Sequence, residues 1–179
     1  MSIHLYAVMT LDGKIALHER DPLRWSSRED KDFLLEEMKR FNLAFVGRAT
    51  YDVSRSFFAD KTCVVFSRSV NELTQRGEHL YFSNLDHFDP KRFCQKMGVN
   101  QAVVLGGSYI YSYFLKMGWV DELHLTLEPL LFGHGIPWLS QREVNQQYQL
   151  SHMRQLNDRG TLLLEYCREG TFEVATDQS

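Results

Sequence analysis

The stretch that decides the fold is QAVVLGGSYIYSYFLKMGWVDELHLTLEP, Gln101–Pro129. Its apolar run Gln101–Leu105 reads as a buried strand and ends at two adjacent glycines, Gly106 and Gly107. Ile110, Phe114 and Met117 then recur at helical spacing, and Glu122–Glu128 reads as the next strand. Strand, helix and strand in this order predict a right-handed crossover between parallel strands. The glycine pair has two readings. It can be a tight turn that packs strand against helix. It can also be the seat of a phosphate, because a helix N-terminus offers unpaired N–H groups and a positive dipole end. Glycine lets the backbone approach a pyrophosphate closely, and Ser108 would add a hydroxyl donor. The pair is not the G-x-G-x-x-G fingerprint and does not decide by itself.

Around this unit the pattern repeats. Strands are expected at Ile3–Met9, Leu43–Val46, Thr62–Ser67, His79–Phe82, Gln147–Met153 and Thr161–Cys167. Helices are expected at Ser27–Phe41, where Leu34, Met38 and Phe41 share a face, and at Pro90–Met97, with Pro90 in the first turn. Ser140–Gln147 reads as a loop and Asn157–Gly160 as a hairpin turn. The fold class that follows is α/β: a mixed, mostly parallel sheet flanked by helices, with an antiparallel C-terminal end. With 179 residues, 44% of them hydrophobic, the chain suits one domain over residues 1–170, with 171–179 as a loose tail.

Composition narrows the function. A net charge of −3 gives no case for nucleic acid or an anionic membrane surface, and no apolar run approaches a membrane span. The first residues lack the pattern of a secretion signal. Cys63, Cys94 and Cys167 are odd in number and far apart, which argues against a disulfide framework and fits the cytoplasm. The seven histidines are scattered, so no metal site is expected.

Two more strand ends carry anion-binding groups. LAFVGRATYDVS ends a strand at Gly47-Arg48, with Thr50 placed to cap a helix or bond a phosphate. TCVVFSRSV ends one at Ser67-Arg68-Ser69. Each alone is as well explained by an ordinary surface turn. Together they suit one ligand with several phosphates laid across the strand ends, where open α/β sheets bind ligands. No carboxylate follows these strands to meet a ribose 2′-hydroxyl, so the chemistry leans to NADPH over NADH.

AVMTLDGKIAL, VGRATY, VVFSRS, VVLGGSYIY and VDELHLTLEPLLFGHGIPWL occur in one order. In that order the chain resembles the dihydrofolate reductase superfamily, including the reductase domain of the riboflavin-biosynthesis deaminase-reductase. The resemblance implies an eight-stranded sheet, NADPH across the strand ends, and hydride transfer to a ribosylaminopyrimidine or a dihydropterin. It places Ala7 and Ile15 beside the nicotinamide, with Asp12 and Gly13 in the adjoining loop. It assigns Gly47, Arg48, Thr50, Ser67 and Arg68 to the adenosine end, and Leu105, Gly106, Gly107, Ser108, Ile110 and Tyr111 to the pyrophosphate and nicotinamide side. On the substrate side it points to Lys14, Trp25, Ser27 and Thr126, and to Asp30 as the proton-delivering acid, five residues after Trp25. Glu29, Asp30 and Asp32 also suit a helix N-terminus, with Ser26 and Glu29 as a capping box.

The sequence departs from the pattern in places. Pro22 and Trp25 are separated where dihydrofolate reductases have a Pro-Trp pair. The riboflavin-type ribosyl-phosphate segment has no counterpart around YDVSRSFFAD, where Arg55 is the stand-in, and its helix-start arginine falls near Asp32. No H-x-E with P-C-x-x-C is present, so the zinc deaminase partner is absent from this chain. The alternative reading is a dinucleotide-binding protein of the same fold without turnover. A homodimer is the expected partner state.

Overall fold

The structure is a computed structural model that describes residues 1–140 and 143–171. The tail expected at 171–179 therefore lies outside the described residues, apart from Thr171, as do residues 141 and 142 of the expected loop.

The strands are β1 (Ser2–Thr10), β2 (Lys14–Ala16), β3 (Leu43–Gly47), β4 (Thr62–Phe66), β5 (Thr74–Gly77), β6 (Leu80–Ser83), β7 (Gln101–Val104), β8 (Glu122–Glu128), β9 (Ile136–Pro137), β10 (Gln146–Gln155) and β11 (Leu162–Thr171). The helices are α1 (Arg28–Met38), α2 (Arg48–Val53), α3 (Pro90–Met97) and α4 (Ser108–Lys116). The main sheet has the order β10-β11-β8-β1-β7-β3-β4-β6-β5. Pairing is parallel from β8 through β6 and antiparallel for β10-β11, β11-β8 and β5-β6.

The eight strands and three helices expected from the sequence are all present. The sheet has a ninth strand, β5, whose TQRG sequence is exposed and lacks apolar alternation. The β2-β9 ribbon, three residues against two, is too short to leave a period. Helix α1 stops at Met38 rather than Phe41, because Arg40 and Phe41 N–H groups bond three residues back and tighten the last turn.

Residues on β1 show how the sheet is covered on both sides. Ile3, Leu5, Ala7 and Met9 face a core shared with Phe93 of α3 and with Phe114 and Leu115 of α4. Tyr6 faces a second core with Met38 of α1, Phe41 and Phe58. A central strand buried on both faces reads as a continuous apolar run, which is why β3 and β7 were legible. No helix among the described residues is long and apolar enough to cross a membrane.

Candidate functional site

A cavity of about 180 Å³ opens between α1, α2 and the carboxyl ends of β1, β7 and β8. Ala7 and Val8 of β1, Leu105 after β7, Tyr111 of α4, Thr126 of β8 and Asp30 of α1 line it, with Phe33, Leu34, Phe57 and Phe58 forming an apolar wall. Thr50 lies at its edge. The arrangement is an apolar slot with few polar groups, as small-molecule sites generally are.

Asp30 is the acid in this slot. It is only 6% exposed. Burial raises its pKa from 3.8 to about 6; the Thr126 and Ser26 hydroxyls and Lys31 pull it down, and the nearby Glu128 carboxylate pushes it up. Asp30 is held by the start of α1. Ser27, not Ser26, caps the helix, its Oγ accepting the Asp30 N–H at 3.3 Å. The expected Ser26–Glu29 capping box does not form; Glu29 instead accepts from Asn157 Nδ2 at 3.1 Å. The Ser27 N–H donates to Glu128 Oε1 at 2.6 Å, and the Thr161 hydroxyl donates to Glu128 Oε2 at 2.8 Å. Glu128, 2% exposed, thus ties α1 to β8 and the β10–β11 turn. It was not anticipated, since in sequence it is only the polar end of a strand.

The glycine pair serves two purposes. Gly106 has φ +86°, and a Cβ there would lie 2.9 Å from Cζ and Oη of Tyr111. Its carbonyl accepts the Gly47 N–H at 2.6 Å, so the ends of β3 and β7 touch through backbone. The Gly106–Gly107 peptide is cis. Gly107 is extended and open: a Cβ there meets only Thr50 Oγ1, at 3.6 Å. It precedes α4, whose first intrahelical bonds run from the Ile110 and Tyr111 N–H groups to the Gly107 carbonyl. The Ser108 N–H opens the helix, and Ser108 Oγ is buried with no hydrogen-bond partner among the described residues. An open glycine, a helix N-terminus and an orphaned hydroxyl fit a phosphate group. Tyr111 is itself a wall of the slot, its hydroxyl donating to the Tyr6 carbonyl at 2.7 Å. Ile110 lies in the core, close to Gly47.

The residues expected at the adenosine end lie at the ends of the neighbouring strands β3 and β4. Arg48 is half-exposed, bonds Asp52 Oδ2 at 2.6 Å and lies over the Phe82 ring. Arg76, on the unforeseen strand β5, lies over the same ring at 5.1 Å. Arg68 is exposed, and Ser67 Oγ lies 2.8 Å from Ser69 Oγ. Thr50 does not cap α2. The N-cap is Gly47, without a side-chain bond, and Thr50 is already inside the helix.

The early loop is spread more widely than expected. The Asp12 carboxylate accepts from Thr10 Oγ1 and from the Phe132 and Gly133 N–H groups, and its pKa is lowered to about 2, chiefly by the Thr10 bond. It fastens the β1–β2 turn, where Gly13 has φ +69°, to the loop before β9. Lys14 and Ile15 are in β2, half-buried, and Ile15 packs on the core. Trp25 stands edge-on to Phe132, its Nε1 buried without a hydrogen-bond partner among the described residues, in a second cavity with Glu128, Leu130 and Arg159. Asp30, Thr126, Ala7, Leu105, Thr50 and Tyr111 therefore share one slot; Lys14 and Trp25 do not line it.

The RibD C-terminal domain profile matches residues 58–162, more than half of the chain. The chain belongs to the RibD C-terminal domain family. Membership supports a reductase of riboflavin-pathway type. The chain is 29% identical to the uncharacterised protein YwjB of Bacillus subtilis over 142 residues, 74% of this chain and 79% of that one. Among solved structures, a candidate riboflavin biosynthesis protein from Shewanella sp. PV-4 superposes with a TM-score of 0.74 at 22% identity, covering 94% of this chain and 99% of the other. A pyrimidine reductase-like protein from Corynebacterium diphtheriae gives 0.72 at 12% identity, covering 94% and 92%. The Thermotoga maritima diaminohydroxyphosphoribosylaminopyrimidine deaminase/5-amino-6-(5-phosphoribosylamino)uracil reductase gives 0.71 at 19% identity, covering 93% of this chain but 56% of that one. These superpositions show the dihydrofolate reductase-like fold.

Proposed function

We infer that the protein is an NADPH-dependent reductase whose substrate is a ribosylaminopyrimidine or a related flat heterocycle such as a dihydropterin. The observation that carries this reading is a buried acid, Asp30, with a raised pKa, in an apolar slot lined also by Thr50, whose Oγ1 lies 3.6 Å from where a Cβ on the open Gly107 would sit. When bound, the cofactor would supply a hydride. The chain's own residues do the rest. Gly107, the Ser108 N–H and Ser108 Oγ would hold the pyrophosphate, and Arg48, Ser67, Arg68 and Arg76 would receive the 2′-phosphate. Ala7, Leu105 and Tyr111 line the slot together and would orient a ring against them. Phe33, Phe57 and Phe58 give the slot an apolar wall that would keep water from a bound ring. Asp30 holds a proton on its carboxyl group up to about pH 6 and would deliver it to the nitrogen of the C=N bond being reduced, onto which the π electrons move as the carbon takes the hydride, with Thr126 fixing the carboxyl's orientation.

Calorimetric titration with NADPH and NADH, on the wild type and on Arg48→Ala, tests the cofactor half. NADPH should bind the wild type more tightly than NADH, and the difference should fall about tenfold or more in the variant. No binding of either dinucleotide would sink the reading. Binding without NADPH consumption over a panel of pyrimidine and pterin acceptors would favour a binding protein without turnover. The reading includes a symmetric dimer, which a monomer in sedimentation analysis would contradict.

A further inference from the structure

On the side of the sheet facing α1, below the slot, β1 and β8 bring His4, Glu122 and His124 together. His4 Nδ1 lies 3.3 Å from Glu122 Oε2 and 3.4 Å from His124 Nε2, and His124 Nε2 lies 3.5 Å from the same Glu122 oxygen. Three nearly equal separations are unusual for hydrogen bonds among three atoms, since a single N–H can point along only one edge. They match a coordination triangle. Zinc–nitrogen and zinc–oxygen bonds of about 2.0–2.1 Å in a tetrahedron put neighbouring ligand atoms about 3.3–3.4 Å apart.

The outer bonds agree. His124 Nδ1 is 2.9 Å from Glu165 Oε1, a carboxylate oxygen that can only accept. The proton therefore sits on Nδ1, and in the neutral ring the lone pair of Nε2 points into the triangle. His4 Nε2 is likewise bonded outward, to Ser2 Oγ at 2.9 Å. An imidazole that binds with one nitrogen and is anchored by a carboxylate or hydroxyl through the other is the usual second-layer arrangement of a metal-bound histidine. The Tyr6 ring stacks on His124 at 4.1 Å and fixes its plane.

Charge points the same way. Two of the four surrounding acids have cationic partners: Glu37 pairs with Arg40, and Asp121 with Arg168. Among the described residues, Glu122 and Glu165 form ion pairs only with histidine. That leaves two carboxylates around two imidazoles of which His4 is 1% and His124 5% exposed. Carboxylates left in this way, beside two buried imidazoles, offer a bound cation its compensating charge.

We propose that His4, Glu122 and His124 bind a zinc-class divalent cation, which clamps β1 to β8 beneath the slot and orients His124 in its wall. Two imidazoles and a carboxylate suit zinc, cobalt or nickel rather than magnesium or calcium. The Glu122 side chain, 38% exposed, provides the entry path, and the fourth position is left to water.

The test uses the full chain purified without an affinity tag, stripped with chelator and titrated with zinc sulfate. One zinc per chain should be retained through gel filtration, with a rise in Tm. Glu122→Gln should bind on the order of 100-fold more weakly, and Glu165→Gln, which removes only the outer acceptor, about 10–100-fold more weakly. X-ray absorption of the zinc-loaded wild type should give two imidazoles and oxygen neighbours at about 2.0–2.1 Å, independently of whether any variant folds. Failure of the wild type to retain zinc would overturn the site and leave the histidines sharing a proton. Retention that Glu122→Gln leaves unchanged, or a shell without two imidazoles, would overturn it as well.

Discussion

The two halves of the cleft are built from different material. At the ends of β3 and β7 the Gly47 N–H bonds the Gly106 carbonyl, and the open Gly107 lies beside them at the start of α4, so that half is mostly backbone. Around Asp30 it is side chain: Thr126, Glu128 and Thr161 converge on the first turn of α1, and the Ser27–Glu128 bond spans 101 residues. A backbone site needs particular residues at consecutive positions and leaves a motif. A side-chain site needs only that distant segments meet. Substitutions should therefore act differently in the two halves. In the glycine half they should separate fold from binding, whereas around the acid stability and chemistry should change together.

The largest expected effect is at Gly106. Alanine there must adopt φ +86° and place a methyl 2.9 Å from the buried Tyr111 ring. Left-handed strain and overpacking together should cost roughly 3 kcal/mol or more, read as a lower urea midpoint. Gly107→Ala has extended backbone and open space, so its midpoint should stay within about 1 kcal/mol of the wild type. Its NADPH affinity should nevertheless fall at least about tenfold, because the methyl would occupy the place proposed for the phosphate. Equal stability losses in the two variants would break the division between packing and binding within the pair.

Next is Asp30→Asn. The folded-state pKa of Asp30, about 6, lies above the unfolded value near 3.8. The stability associated with its proton is fully present below about pH 4 and is lost as pH rises through about 6. Asparagine carries no such loss, so the variant should be more stable than the wild type by roughly 2–3 kcal/mol near pH 8, with the gain vanishing toward pH 4. Reductase turnover should drop on the order of 100-fold or more. In the wild type, turnover should decline as pH rises through about 6, and the variant should lack that limb. A variant less stable at pH 8 would mean that Asp30 is held by attraction rather than strained by burial.

How far each half could be read follows from the same contrast. The parallel strands β3, β4 and β7 were legible as apolar runs, and VLGGS marked the turn, because burial on both faces and close backbone approach constrain adjacent residues. Asp30 was visible as an acid near Trp25, but local chemistry favoured a helix-dipole role, and only the long-range contacts with Thr126 and Glu128 show it buried. Ser27 rather than Ser26 became the cap because Glu128 captures the Ser27 N–H, a partner that no local pattern could identify. The pairing of His4 with Glu122 and of Tyr6 with His124 likewise depends on the β1–β8 register. Strand β5 escaped because an exposed edge needs no apolar alternation.

The smallest effect, and the sharpest test of coupling in the acid half, is Glu128→Gln. Glutamine keeps one acceptor oxygen for the Ser27 N–H but turns an amide toward the Thr161 hydroxyl, at a cost of about 1–2 kcal/mol. It also removes a negative charge that raises the Asp30 pKa. Once Asp30 is ionised that relief offsets part of the lost bond, so the destabilisation should be larger near pH 5 than near pH 8. For the same reason the alkaline limb of the turnover profile should move to lower pH, because Asp30 loses its proton more readily. A destabilisation equal at both pH values, with the limb unmoved, would mean that Glu128 and Asp30 are independent, and that the acid half, like the glycine half, separates structure from chemistry.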